Sequence, residues 1–346
     1  MPWRKAYLFE NEGDLKLKTL SKKIGICAFS FILGLSVLAF CGCDSNRNGD
    51  EDAKRFYNVS FVQDGNTKAE VTVNEGEKIN RTSVPDPDTE TEGLVTEWNY
   101  DFGSNVTENL TVNTVSYTLG LSFNKSLKGG DYIITGYTGT AEEVYMPDFY
   151  KGGAVTSIRA EAFSNDTSIV SVRFPSNLTS IGDEAFKGCV NLTAVDFPET
   201  VATLGASAFA ECESLTEFTF PPHITVVPSR VVQGCKFDFV IVPEGVTTIE
   251  SYAFACKITS IVLPSTLKRV EDLGFWIELR QIFYADEESR WETVNISSVV
   301  YKYAGGEFSA KSVTTDFATV YFYSEIKPTR PGNYWHYVAE VPTVWS

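Results

Sequence analysis

From Pro175 to Pro264 the chain repeats one pattern every 21 to 23 residues, with Pro198, Pro221 and Pro243 marking the beat between them. Apolar residues recur at fixed offsets. Three residues after each proline stand Leu178, Val201, Ile224, Val246 and Leu267, and six after stand Ile181, Leu204, Val227, Ile249 and Val270. Ten and eleven after come Ala185-Phe186, Ala208-Phe209, Val231-Val232, Ala253-Phe254 and Gly274-Phe275. Counting back six, three and one gives Ile169, Val172, Phe174; Leu192, Val195, Phe197; Leu215, Phe218, Phe220; Phe237, Val240, Val242; and Ile258, Ile261, Leu263. Leu279, Ile282 and Tyr284 fit the same spacing, with Ala285 in the place of proline. A fixed period of this length means a stack of coils, because one coil has no second layer against which to bury its apolar side. Such a stack is expected to offer a surface rather than a pocket.

The strings L-x-x-V-x-F-P, I-G-x-x-A-F and F-x-x-C, clearest in Ile181-Gly182-Asp183-Glu184-Ala185-Phe186-Lys187-Gly188-Cys189, resemble the BspA-type leucine-rich repeat of bacterial surface proteins over residues 131–290. The resemblance implies a mainly β solenoid with short helical turns. It also implies a non-catalytic, adhesin-like role. The coil after Pro221 departs furthest, with Val231-Val232 for Ala-Phe and Pro228 after Val227, so its turn is the one expected to differ.

Residues 24–43 are twenty uncharged residues that follow Lys22-Lys23 and precede acidic, polar sequence, the pattern of a segment that enters or crosses a membrane. The end, Phe40-Cys41-Gly42-Cys43, resembles a lipoprotein signal. That implies a thioether-linked lipid on Cys43, with Cys41 as the alternative site. Twenty residues are also long enough to span as an uncleaved anchor, and plain cleavage is the third reading. In each, residues 44 onward lie outside the cytoplasm, because the Lys/Arg cluster stays inside. Residues 44–55 read as a polar linker. Their Asp and Asn spacing imitates a calcium loop, but Arg55 stands where a bidentate carboxylate is needed.

Residues 56–120 change to short alternating stretches, with strands expected over 57–62, 69–73, 94–98 and 110–117, separated by turns such as Asp64-Gly65-Asn66 and Glu75-Gly76. The phrase from Val73 to Ile79, then Trp98, then Phe102 to Val112, resembles the internalin-type B repeat, also called the Listeria-Bacteroides repeat, although Glu97 replaces the usual glycine before the tryptophan. This implies a small β-grasp-like module ahead of the solenoid. Residues 131–153 read as the leading coil. Residues 291–346, with aromatic runs at 318–324 and 333–338, read as a C-terminal β cap over the exposed end of the stack.

The formal charge is −16, and six Lys/Arg against three Asp/Glu in residues 1–43 leave −19 for the remainder. That argues against a nucleic-acid partner, whose phosphates need a basic stripe. Of seven cysteines, Cys189, Cys212, Cys235 and Cys256 occupy one repeated row and read as buried small hydrophobes rather than a disulfide framework. His223 and His336 are the only histidines, which removes most routes to zinc or general-base chemistry, and no nucleophile elbow, zincin or phosphate-loop motif occurs. No catalytic residue, cofactor or metal is expected, and Asp183 and Asp196 read as solvated.

Within each L-x-x-V-x-F segment the x positions point away from the core. One such row runs Arg173, Asp196, Thr219, Ile241, Val262, Phe283, and Phe239 falls beside its apolar end. Exposed contiguous apolar surface marks interaction sites, so Phe239, Ile241, Val262 and Phe283 form the candidate ligand-binding patch, unless the aromatic C-terminal segment folds over them. The expected function is binding an extracellular protein or glycan from the cell surface. The rival is a passive surface spacer without a dedicated ligand.

Overall fold

The structure, a computed structural model, describes residues 55–346 apart from 90, 128, 277, 304, 305, 330, 331, 340 and 346. The signal segment, Cys41, Cys43 and nearly all of the linker lie outside the described residues. Residues 54–346 gather into one compact unit. Among the described residues no helix is long and apolar enough to cross a membrane.

The first four strands fall where alternation places them: β1 (Phe56–Gln63), β2 (Asn66–Asn74), β3 (Leu94–Trp98) and β4 (Leu110–Thr118). They form a mixed sheet in the order β2-β1-β4-β3, with β1 and β4 parallel and the other pairs antiparallel. Val59 and Phe61 on β1 face a separate small core that holds Val73, Trp98, Val106 and Val112. Phe61 meets Trp98 edge to face at 5.3 Å, and the buried indole N–H donates to the carbonyl of Pro85 at 2.8 Å.

β5 (Leu121–Lys125) and β6 (Tyr132–Tyr137) form a hairpin whose β6 continues in parallel onto the repeat stack, so β5 adds a strand to the stack. β7 (Glu143–Tyr145), β8 (Phe149–Tyr150) and β9 (Gly153–Ile158) complete the leading coil. An aromatic joint ties sheet to stack: Tyr117 packs on Phe123 at 5.1 Å and on Tyr150 at 5.8 Å. Burial raises the Tyr117 phenol far above its ordinary range, with Glu97 adding to the effect. The Tyr145 N–H donates to Thr118 Oγ1 at 2.7 Å.

The remaining coils place short strands alternately in two rows. They are β10 (Ser171–Arg173), β11 (Ser180–Ile181), β12 (Thr203–Leu204), β13 (Val226–Val227), β14 (Phe239–Ile241), β15 (Thr248–Ile249), β16 (Ser260–Leu263), β17 (Arg269–Val270) and β18 (Gln281–Tyr284). The first row, the front, pairs β7 with β10 and β14-β16-β18 in parallel; the second row pairs β9-β11-β12 and β13-β15-β17. Registers advance by one coil, as in Val240↔Ile261↔Ile282. A short helix α1 (Glu288–Trp291) buries Trp291 against Tyr284 at 5.1 Å, then β19 (Asn295–Ile296) extends the second row. A hairpin of β20 (Tyr301–Tyr303) and β21 (Gly306–Phe308) and a helical turn α2 (Ala310–Ser312) follow. β22 (Thr319–Tyr323) then returns to the front row beside β18, followed by β23 (Tyr334–Val338) and β24 (Val341–Val344). The period therefore persists one coil beyond Tyr284, lengthened by an insertion.

On the side away from the front, each coil makes one tight left-handed turn. Glu161, Glu184, Ser207, Arg230, Tyr252 and Leu273 hold φ between 55° and 61°, nine residues after each proline where proline is present. None is glycine, so hydrogen bonds from coil to coil must hold this conformation against its steric cost. They do: the amides of Phe163, Phe186 and Phe209 donate to the carbonyls of Ala185, Ala208 and Val231 at 2.8 to 2.9 Å. Gly182 and Gly205 are required for a different reason. A Cβ there would stand 2.4 and 2.3 Å from the backbone nitrogens of Ala160 and Asp183 in the preceding coil. In the Pro221 coil the turn survives its altered sequence, with Val231 and Val232 fully buried and Arg230 in the left-handed region.

Candidate functional site

The front face divides into two halves of different construction. In the C-terminal half, β14, β16, β18, β22, β23 and β24 make a continuous six-stranded sheet. In the N-terminal half, residues 194–197 and 217–220 form no strand and, among the described residues, make no backbone ladder bond to either neighbour. The second row also breaks at this level, between β12 and β13, while the turn-side hydrogen bonds continue unbroken.

The interruption coincides with a run of aromatic residues. The front rows of this half carry Phe174, Phe197, Phe218 and Phe220, where the next two coils carry Val240, Val242, Ile261 and Leu263. Phe174 and Phe197 stack at 5.6 Å, and Phe197 and Phe218 meet edge-on at 5.7 Å. On the turn side, Phe163 and Phe186 stack nearly parallel at 4.8 Å and Phe186 and Phe209 at 5.3 Å, beside coil-to-coil hydrogen bonds that are all made.

Where the ladder opens, a shallow cleft of about 440 Å³ forms between the segments before Pro175 and Pro198 and the loop after β7. The stack is thus not a surface alone, as its periodicity suggested. Val172, Val195 and Phe197, inward by sequence, are only half-buried there, unlike their counterparts Val240, Ile261 and Ile282. The rim carries Arg173, Asp148 and Asp196. The Arg173 guanidinium lies 4.9 Å from the centre of the Tyr145 ring, and Asp148 Oδ1 accepts the Ser176 N–H. Asp196 is exposed and makes no hydrogen bond or ion pair among the described residues. Asp183 is exposed and also accepts the Ala206 N–H at 2.8 Å. Sequence reasoning missed the cleft; the available signal was the run of phenylalanines in the front rows.

The patch expected in the C-terminal half requires correction. Phe239, Ile241, Val262 and Phe283 do converge, but Val262 and Phe283 are only 3% and 5% exposed, and Phe239 and Ile241 are half-buried. Trp335 of β23 covers them. Its ring meets Phe283 edge-on at 5.6 Å and its indole N–H donates to the Tyr284 carbonyl at 2.9 Å, while Tyr321 stacks on Phe283 at 5.3 Å. Burying these apolar groups beneath a chain-terminal aromatic lowers their contact with water, so the four are not a free surface. His336 lies on the opposite side of β23, stacked on Trp345 at 3.6 Å.

The cysteine row is a buried column of free thiols, as its spacing suggested. Cys189, Cys212 and Cys235 donate to the carbonyls of Phe163, Phe186 and Phe209 at 3.1 to 3.2 Å. Burial pushes Cys189 and Cys235 up to about 12 and raises Cys212 and Cys256 as well, which keeps all four neutral and unreactive at neutral pH. Among the described residues no group of three or more His, Cys, Asp or Glu is arranged to hold a metal ion.

Coil length, the proline-marked front segments, the left-handed turns and the cysteine column recur together along the stack. Residues 143–256 match the BspA type Leucine rich repeat region, in six copies. No curated protein matches the chain. Among solved structures, a leucine rich repeat protein of T. pallidum is 29% identical over 47% of this chain and 78% of its own, with a TM-score of 0.45. A leucine rich cell surface protein from Faecalibacterium prausnitzii is 24% identical, covering 54% of this chain and 41% of its own, with a TM-score of 0.36. A leucine-rich repeat protein from Eubacterium ventriosum is 22% identical, covering 54% of each chain, with a TM-score of 0.35. The match runs from the leading coil through Cys256, so the insertion and the aromatic strands beyond lie outside the matched stretch.

Proposed function

We propose that this chain is a lipid-anchored, non-catalytic surface protein whose repeat solenoid binds a protein or glycan partner through its front face. The observation that carries the reading is the front of residues 194–220, where Asp196, Glu217 and Thr219 stand in solvent over an open ladder and a cleft. A face committed only to packing has no need of either feature. Cys43 supplies the anchor, residues 44–55 the tether, and the N-terminal sheet acts as a B-repeat-like spacer that holds the solenoid away from the membrane. The alternative, a passive spacer, draws on the covering of Val262 and Phe283, which removes these apolar side chains from solvent.

The test is partner capture by the full chain from extracellular and neighbouring-cell material, compared with a Glu217→Lys, Thr219→Lys variant. Both positions are exposed, so the fold tolerates the change. A saturable partner lost in the variant supports binding through this face. Equal capture by both forms overturns binding through this face, and no capture by either favours the spacer. Mass spectrometry of the mature amino terminus tests the anchor separately, with an acylated Cys43 as the expected result.

A further inference from the structure

The cleft before Pro198 has a composition that selects among partners. Its floor is apolar, with Val172 and Phe197 half-buried, and its rim offers the carboxylate of Asp196 without an internal partner. Arg173 stands one coil away in the same outward row and would be the natural counter-ion of Asp196. It lies instead over the Tyr145 ring, and no ion pair joins the two. Along the face beyond the cleft, Glu217 and Asp238 are exposed carboxylates, also without hydrogen bond or ion pair for their side chains among the described residues. The whole chain carries −16.

We propose that this cleft is the docking site for a lysine or arginine side chain on an extended segment of a partner protein, a commitment that rests on the front-face binding reading above. Such a side chain has an aliphatic stem and a charged head. The stem lies on Val172 and Phe197, and the head reaches Asp196. Further basic residues of the same segment meet Glu217 and Asp238. An acidic partner is repelled by this strip, and a neutral glycan leaves its carboxylates without a counter-charge, so charge complementarity favours the basic peptide.

Calorimetric titration of the full chain in detergent micelles, at low ionic strength, distinguishes the possibilities. The probes are acetyl-tetralysine-amide, acetyl-tetraglutamate-amide and chitotetraose. Saturable one-site binding of tetralysine is expected, weakened by about five- to tenfold in Asp196→Lys, tightened by a few fold in Arg173→Gln, and nearly unchanged in Glu70→Lys, which makes the same charge change on the exposed edge of the N-terminal sheet. Equal weakening in Asp196→Lys and Glu70→Lys means diffuse attraction to an acidic protein and overturns the site. Absence of saturation with tetralysine also overturns it. If chitotetraose binds instead and is lost in Asp196→Lys, the ligand class is wrong while the front-face reading stands. If partner capture by the full chain is also insensitive to Glu217→Lys, Thr219→Lys, both readings fall.

Discussion

The two halves of the front face are built from the same sequence pattern and reach different states. Before Pro243 and Pro264 the front segments carry Val240, Val242, Ile261 and Leu263, and the strands close into a ladder. Before Pro198 and Pro221 the equivalent positions carry phenylalanine three times in four, and the ladder stays open. A shared hydrophobic pattern therefore buries apolar area in both halves without fixing whether neighbouring front segments pair. The open half exposes polar backbone and a cleft. The other half becomes a closed sheet, and its end is sealed by Trp335.

The largest change in this contrast comes from Trp335→Ala, which removes the seal. It is expected to cost about 3 to 5 kcal/mol in denaturant unfolding and to expose Val262 and Phe283 to a hydrophobic dye. A loss below about 1 kcal/mol would mean that the C-terminal strands do not carry the burial of the patch.

Amide exchange reads the ladder directly. The amides of Val195, Phe197 and Phe218 are expected to exchange roughly a hundredfold or more faster than those of Val262 and Ile282, while those of Phe186 and Phe209 on the turn side of the same half stay protected. A Phe197→Ile, Phe218→Ile variant should narrow the gap by slowing Val195. Equal exchange in the two halves of the wild-type face would show that the front of residues 194–220 is paired after all.

The thiol column crosses the boundary between the halves and should not distinguish them. Burial holds the thiols neutral, with Cys189 and Cys235 near 12 against an ordinary 9.0. The unfolded chain ionises first, so the stability that these groups contribute is complete below pH 9 and is lost as pH rises towards 12, by up to about 1.4 kcal/mol per pH unit for each thiol. Denaturant unfolding of Cys189→Ala, Cys235→Ala between pH 9 and 11 should show a shallower decline than the wild type.

The smallest effect is expected on the turn side, which both halves share. Glu161 is exposed and held at φ 61°, so Glu161→Gly should stabilise by about 0.5 to 1 kcal/mol, measured as a rise in melting temperature. A decrease would show that the Glu161 side chain contributes more than its backbone strain removes.

Much of this organisation was legible before any coordinates. Every inward offset counted from the prolines is buried or half-buried, the four cysteines form the expected column, and the first four strands fall within a residue or a few of their alternation. Periodicity is a local property of the chain, so the identity of the inward face follows from counting. Asp183 as a partner of the next coil's amide was not legible, because its acceptor role depends on the coil above it.

What the sequence alone determined is the stack, its register and its buried columns, since each coil must bury the same positions against neighbours built by the same rule. Only the tertiary structure decided which front side chains meet water. The partners of Phe283 and Val262 lie in strands about forty to seventy residues downstream, and pairing between front segments depends on the neighbouring coils and not on any single position.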